Sequence, residues 1–318
     1  MAGITLKSAL VAGLVAVASA LPAAPRLTER QMKIHEVMKR QSAAEQALGI
    51  NDFDVLQFAL TLENLESAFY QQGFAAIPQQ QFLDLGLTQT QVNDLINIGA
   101  SEQAHVGIIQ STLAQMGVQP VVPCQYNFNS SFTSAQAMVQ TATVLEQVGV
   151  SAYLGAAPIV SMPTVLAAAA SIFSIEARHQ SFIRTVSGVA AAPDFFDTPL
   201  SPKQVFSLAA PFISSCPSGS NLILTAFPTV SMANAQQALV ADANLNLVSD
   251  ASTQATACAF IAGGLPTGAT FTSFTNGACQ LPQGLTGVTY LNLVNSIPAD
   301  GKISDSIIVA GPMVLTLQ

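Results

Sequence analysis

Apolar side chains return every three or four positions across four stretches of the chain: residues 53–74, 88–116, 134–157 and 165–187. That period puts one stripe of each stretch on a buried face and predicts four helices. Helix-capping residues mark their starts, at Asn51 or Asp52, at Thr88, at Thr133 or Ser134 and at Pro163-Thr164. Gly73, Gly117 with Pro120, Pro158 and Gly188 mark their stops. A fifth, short helix is expected at Ser201-Pro202, with proline at its first position. The connection over residues 118–132 is the longest and permits a crossover between two helical hairpins.

From about residue 220 the texture changes. Short β-rich runs at 222–227, 244–248, 257–261, 270–274, 287–293 and 306–317 are separated by Gly, Pro, Asn and Asp. They suit a small antiparallel β-sandwich. Helices followed by strands predict an α+β protein: a helical bundle over residues 41–200, then a linker helix and β-sandwich over 201–318. The apolar tail could be read as a lipid-anchor signal. It contains Gly311-Pro312 and lacks a polar spacer, which favours a final strand.

Composition narrows the classes. Half of the 318 residues are hydrophobic and only 9% are charged, so most of the chain can bury a core and is not disordered. The net charge of −8 and the lack of a basic stripe argue against nucleic acid as a partner. Lys7, an apolar run over 9–17 and Ala18-Ser19-Ala20 read as a signal peptide over residues 1–20, too short to span a bilayer. Lys39-Arg40 reads as a processing site that ends a propeptide over 21–40. Residues 1–40 hold six of the ten basic and two of the eighteen acidic residues, so a chain starting at Gln41 carries −12. The expected location is extracellular or cell wall, with no transmembrane span.

An exported chain with four cysteines, Cys124, Cys216, Cys258 and Cys279, implies two disulfides and three possible pairings. The most local pairing, Cys124 with Cys216 and Cys258 with Cys279, is expected. Asn129-Ser130-Ser131 is the glycosylation sequon.

The candidate chemistry lies in the helices. Beyond residue 40 the chain has only six glutamates and two histidines, and each histidine follows a glutamate by three positions, in Glu102-x-x-His105 and Glu176-x-x-His179. On a helix that spacing puts both side chains on one face. Glu63 and Glu146 sit inside apolar stretches of the other two helices. The order Glu, Glu-x-x-His, Glu, Glu-x-x-His matches the pattern of di-iron and di-manganese carboxylate bundles. Four buried carboxylates without counter-charge would protonate or repel one another; two divalent ions balance them. Six oxygen and nitrogen ligands with open positions suit iron or manganese better than structural zinc. There is also a weak repeat: Tyr70 follows Glu63 by seven positions and Tyr153 follows Glu146 by seven, so each tyrosine shares a face with its glutamate.

The segment Ala59-Leu-Thr-Leu-Glu-Asn-Leu-Glu-Ser-Ala-Phe-Tyr70 and the two Glu-x-x-His motifs resemble the secreted fungal ferritin-like domain proteins, a group labelled as stress-, desiccation- or sexual-development-related. The resemblance covers roughly residues 50–200, and the ending, with Gly287 to Tyr290 and Ala310-Gly-Pro312, is also similar. It implies that Glu63, Glu102, His105, Glu146, Glu176 and His179 take the metal positions. It implies that Tyr70 takes the tyrosine position beside the site, as a candidate catalytic residue. Glu66 is left open, as a ligand, an acid beside the site or a solvated residue. Tyrosines such as Tyr70 and Tyr153 are more often core residues with satisfied hydroxyls than radical or proton-transfer residues, and Arg178 is expected at the surface or in an ion pair.

Three functions fit: an oxidoreductase whose two Fe or two Mn ions act on O₂ or H₂O₂, a metal binder without turnover, and a structural protein of the cell wall or spore surface with cell-wall partners. Metal-dependent peroxide consumption separates the first from the others.

Overall fold

The computed structural model describes residues 50–220 and 224–317, so the signal and propeptide expectations lie outside the described residues. Asn51 accepts hydrogen bonds from the amides of Phe53 and Asp54, and Asp54 reaches back to the Asn51 amide. This reciprocal cap starts α1, Asp52–Ala76. A short α2, Gln79–Asp84, follows. Thr88 and Gln91 form the same kind of cap on α3, Gln89–Gln115. Ser134 caps α4, Ala135–Ala156, and Pro163 is the first residue of α5, Pro163–Val186. Ser201 caps α6, Pro202–Ala209, as the sequence predicts.

α1 pairs with α3 and α4 with α5, giving two hairpins that form the bundle. One apolar cluster, including Phe69, Phe82, Leu95 and Met138, fills one end. A second, including Leu60, Ile109, Leu113 and Ile172, lies towards the other. The acidic residues sit between them. Asp52 joins the hairpins at one corner, accepting from the Ser161 and Met162 amides at 2.8 and 2.7 Å.

Gly73 does not stop α1, which runs on to Ala76. A Cβ there would lie 2.5 Å from Met138 Cε, so this glycine serves close packing against α4 instead. The strand expected over 222–227 is not found over 224–227. Short pieces that the periodicity did not predict are present: α2, β1 (Gln125–Tyr126), β2 (Ile213–Ser215), β3 (Ser231–Met232) and β7 (Ala278–Gln280).

β1 pairs with β2, and the Cys124–Cys216 disulfide closes the same junction. It fastens the long crossover to the segment after the bundle. The remaining strands are β4 (Asn244–Val248), β5 (Ala257–Ile261), β6 (Ala269–Ser273), β8 (Gly287–Val294) and β9 (Ile308–Leu317). They form an antiparallel sheet in the order β6-β5-β8-β9 and a second in the order β3-β4-β7. The sheets share an interior that includes Leu245, Leu247, Phe260, Leu291 and Leu293, and Cys258–Cys279 bridges them.

The four-stranded sheet packs on the bundle. Val148, Leu200, Val205, Ile261, Val288 and Tyr290 make one apolar cluster. Within it the Tyr290 hydroxyl meets Ser151 Oγ on α4 at 2.7 Å. Gly155 lets the linker cross α4, since a Cβ there would lie 2.0 Å from the Leu200 carbonyl oxygen.

Candidate metal centre

The helical period brings all six expected residues together between the apolar ends of the bundle. Glu102, Glu146 and Glu176 are fully buried, Glu63 is 1% exposed, and His105 and His179 are 7% and 8% exposed. They form two overlapping sets. Ligand atoms of Glu63, Glu102, His105 and Glu176 lie within 4.8 Å of one another, as do those of Glu102, Glu146, Glu176 and His179. Glu102 and Glu176 belong to both sets. These are the glutamates of the two Glu-x-x-His motifs, so the shared carboxylates come from α3 and α5, and α1 and α4 each add one more.

His105 Nδ1 approaches Glu63, Glu102 and Glu176 at 3.2, 3.2 and 3.1 Å. Its Nε2 lies 3.3 Å from Ser101 Oγ. With an ion bound, a proton on Nε2 given to Ser101 would free the Nδ1 lone pair for coordination. His179 Nδ1 lies 2.9 Å from Glu102 and 3.2 Å from Glu146.

Several of these atoms are buried without a hydrogen bond: Glu102 Oε1, Glu146 Oε2, both Glu176 oxygens and His179 Nδ1. Close approach without the angles of an N–H···O bond is the behaviour of lone pairs aimed at one shared point. Oxygen and imidazole donors so arranged fit a divalent metal ion.

The electrostatics of the ion-free cluster follow from burial and crowding. Burial raises Glu63 to about 7 against the pull of His105. Burial and neighbouring carboxylates raise Glu66, Glu146 and Glu176 as well. Glu102 goes the other way: burial would raise it, but the imidazoles of His105 and His179 close beside it outweigh that and hold it at about 2. Burial would lower both histidines, yet the surrounding carboxylates hold His105 at about 12 and His179 at about 10. Protons on the two imidazoles thus do the charge balancing that divalent ions can take over.

The tyrosines share the interior with their own glutamates but bond across the bundle. The Tyr70 hydroxyl donates to Glu146 on α4, and the Tyr153 hydroxyl donates to Glu63 on α1 at 2.5 Å. Each hairpin therefore orients the carboxylate of the other. Gly99 makes room for Tyr70, since a Cβ there would lie 2.8 Å from Tyr70 Cβ.

Glu66 is 5% exposed, which removes the solvated reading. It is in neither ligand set, and so stands as a buried acid beside the site. Its room comes from Gly149, where a Cβ would lie 3.0 Å from Glu176 and 3.3 Å from Glu66. Gly149 was not singled out by the sequence reading, although it follows Glu146 by the same three positions that separate Glu66 from Glu63. Ser101 was also missed; a serine four residues before a histidine carries little signal by itself. Arg178 is exposed, and Asn129 is exposed in the loop before α4.

Comparison with known proteins agrees with this geometry. The family model for the ferritin-like domain matches residues 51–189. Protein rds1 of the fission yeast Schizosaccharomyces pombe is 25% identical over 180 residues, covering 56% of this chain and 44% of that protein. The match therefore spans less than half the length of that relative. A hypothetical protein of Methanococcus jannaschii with a known crystal structure aligns over 62% of this chain and 99% of its own, at 13% identity and a TM-score of 0.33. The ferritin-like domain model matches residues 51–189, a fungal protein is a relative of this chain, and the whole carboxylate and histidine cluster lies within the matched residues.

Proposed function

We propose that the chain is an exported protein whose Glu63, Glu102, His105, Glu146, Glu176 and His179 hold two Fe or two Mn ions, and that it acts as an oxidoreductase on O₂ or H₂O₂. The observation that carries this reading is the sharing of Glu102 and Glu176 between two four-residue sets. Two divalent ions held by these two sets would draw on all six side chains. Bound Fe or Mn would supply electrons by changing between the +2 and +3 states.

The protein's own part is to hold four carboxylates in a dry interior. Tyr70 and Tyr153 fix the orientation of Glu146 and Glu63 by donating to them. Burial and its acidic neighbours raise Glu66, a carboxyl held beside the site. The two disulfides support an oxidising compartment, and no described helix is long and apolar enough to cross a membrane. Export by residues 1–20, removal of 21–40, glycosylation at the exposed Asn129 and division into units 41–200 and 201–318 complete the reading. A role in stress or development at the cell wall is its physiological setting.

Elemental analysis of the chain secreted without chelators tests it. About two Fe or Mn per chain are expected, lost in a Glu102→Ala/His179→Ala variant, together with metal-dependent peroxide consumption. No metal in either protein, both folded, overturns the reading and leaves the bundle as a scaffold.

A further inference from the structure

Tyr70 follows Glu63, and Tyr153 follows Glu146, by the same seven positions, and the two Glu-x-x-His motifs match. With the reciprocal tyrosine bonds, this relates the two hairpins by an approximate two-fold axis through the site. An offset of 83 carries α1 onto α4, and an offset of 74 carries α3 onto α5. The two ends of the bundle should then pack alike, and they do not.

Beside Tyr70 the end is solid. Phe69 and Leu95 are buried there, and Phe69 meets Phe128 and Phe132 at ring centroid distances of 5.3 and 5.4 Å. The equivalent positions beside Tyr153 are Ala152 and Ala169. There the protein has a cavity of about 510 Å³, lined in part by Ala59, Ala152, Ala156, Ala168 and Ala169. Alanines facing one another across a bundle normally let helices close up; here the space persists. Its size lies in the range of ligand pockets, about 300–1,000 Å³.

The cavity runs from the exposed Asp54 and Ile108 to Glu63, Glu66 and Tyr153 at the cluster. Asp54 and Glu66 are twelve positions apart on α1. At about 1.5 Å per helical residue that is about 18 Å. An extended hydrocarbon chain with bonds of about 1.5 Å advances roughly 1.3 Å per carbon, so about fourteen carbons cover it. The wall is mainly apolar, and its charged residues, Asp54, Glu63 and Glu66, are all acidic. Among the described residues its wall offers no cation to a carboxylate or phosphate head.

We infer that this cavity binds a neutral aliphatic molecule of about twelve to fourteen carbons, laid along α1 with its inner end against Glu63, Glu66 and Tyr153. This deepens the di-metal reading and rests on it only for the ligand's nearness to bound ions; the binding itself does not.

Equilibrium dialysis of the full chain against radiolabelled dodecan-1-ol tests it, with metal content measured on the same samples. Saturable binding near one per chain is expected. Affinity should rise from octan-1-ol to dodecan-1-ol and stop rising beyond about fourteen carbons, a series that needs no variant. Dodecanoate at pH 8 should bind at least tenfold more weakly. An Ala152→Phe/Ala169→Leu variant, which copies the solid end, should bind dodecan-1-ol at least tenfold more weakly with its metal content unchanged. Absence of saturable binding, dodecanoate binding as tight as the alcohol, or affinity that keeps rising past fourteen carbons overturns the inference. Alcohol binding to a metal-free protein overturns only the di-metal reading, and metal without alcohol binding overturns only this one.

Discussion

The two hairpins of the bundle are alike where they face the cluster and unlike one layer away. Each supplies a glutamate, a tyrosine seven positions later and a Glu-x-x-His pair. Around those matched residues, Phe69 corresponds to Ala152, Leu95 to Ala169 and Glu66 to Gly149. The matched set obeys charge balance and ligand direction, which require the same residue types on both sides. The unmatched set obeys packing, which can be satisfied by filling one end and leaving the other open. The site thus has a symmetric interior and an asymmetric approach, and Glu66 occupies the place that Gly149 leaves empty.

The largest way to break the difference is to open the solid end. Phe69 is fully buried and touches Tyr70, Phe128 and Phe132. Phe69→Ala should cost about 3–5 kcal/mol, the usual loss for removing a buried aromatic ring. The reverse change, Ala152→Phe, adds a ring to space that already exists and should cost far less. Chemical denaturation of the metal-free proteins measures both. Equal losses would mean that the Ala152 side is as tightly packed as the Phe69 side.

Acidity tests what the halves share. Folded Glu63 holds its proton up to about 7, against an ordinary 4.5. Between those values the folded state carries more protons than the unfolded one, so stability falls as pH rises through the window. For Glu63 alone the loss is about 3 kcal/mol. Glu66, Glu146 and Glu176 are raised too, and so are His105, to about 12, and His179, to about 10, all with the same sign. Glu102, held at about 2, is the exception; its contribution is lost only as pH falls below 4.5. The metal-free protein should therefore lose Tm steadily from pH 5 to pH 8. Added Mn²⁺ should raise Tm more at pH 8 than at pH 5, because it replaces protons. A Tm that is flat or rises with pH in the metal-free protein would show that the carboxylates are not in the crowded, dry cluster described.

Most of the helical half is legible in the sequence because its determinants are local. The caps at Asn51, Thr88, Ser134 and Ser201 act within three residues, and the apolar period and the two Glu-x-x-His motifs act within two turns. What escaped depends on distant partners. Gly73 reads as a stop by composition, and only Met138 from α4 explains why it lies inside a helix. β1 and β2 are two and three residues long and exist through pairing beside the Cys124–Cys216 bridge, which no periodicity can announce. The expected strand at 222–227 has suitable residues, but the described part finds no partner strand. The alanines at 152, 156, 168 and 169 read simply as helix formers, since a cavity is a property of four helices together. The heptad spacing puts each tyrosine inside the bundle but is silent on which carboxylate it meets.

The smallest effect in this group comes from those tyrosines and is also the finest probe of the asymmetry. Tyr70→Phe leaves Glu146 without its hydroxyl donor in a fully packed surrounding, and Tyr153→Phe does the same to Glu63. A buried acceptor left without its donor costs about 1–3 kcal/mol. Tyr70 is 1% exposed, whereas Tyr153 is partly exposed and lines the cavity together with Glu63. Water entering the cavity can donate to Glu63 in place of the missing hydroxyl, whereas Glu146 is fully buried and does not line the cavity. Tyr70→Phe should thus cost about 2 kcal/mol, and Tyr153→Phe about half as much, by denaturation of the metal-free protein. Dodecan-1-ol, by displacing that water, should widen the gap for wild type over Tyr153→Phe. If the two substitutions cost the same with and without the alcohol, both glutamates sit in equally closed surroundings, and the open approach belongs to the apolar wall alone, not to the cluster.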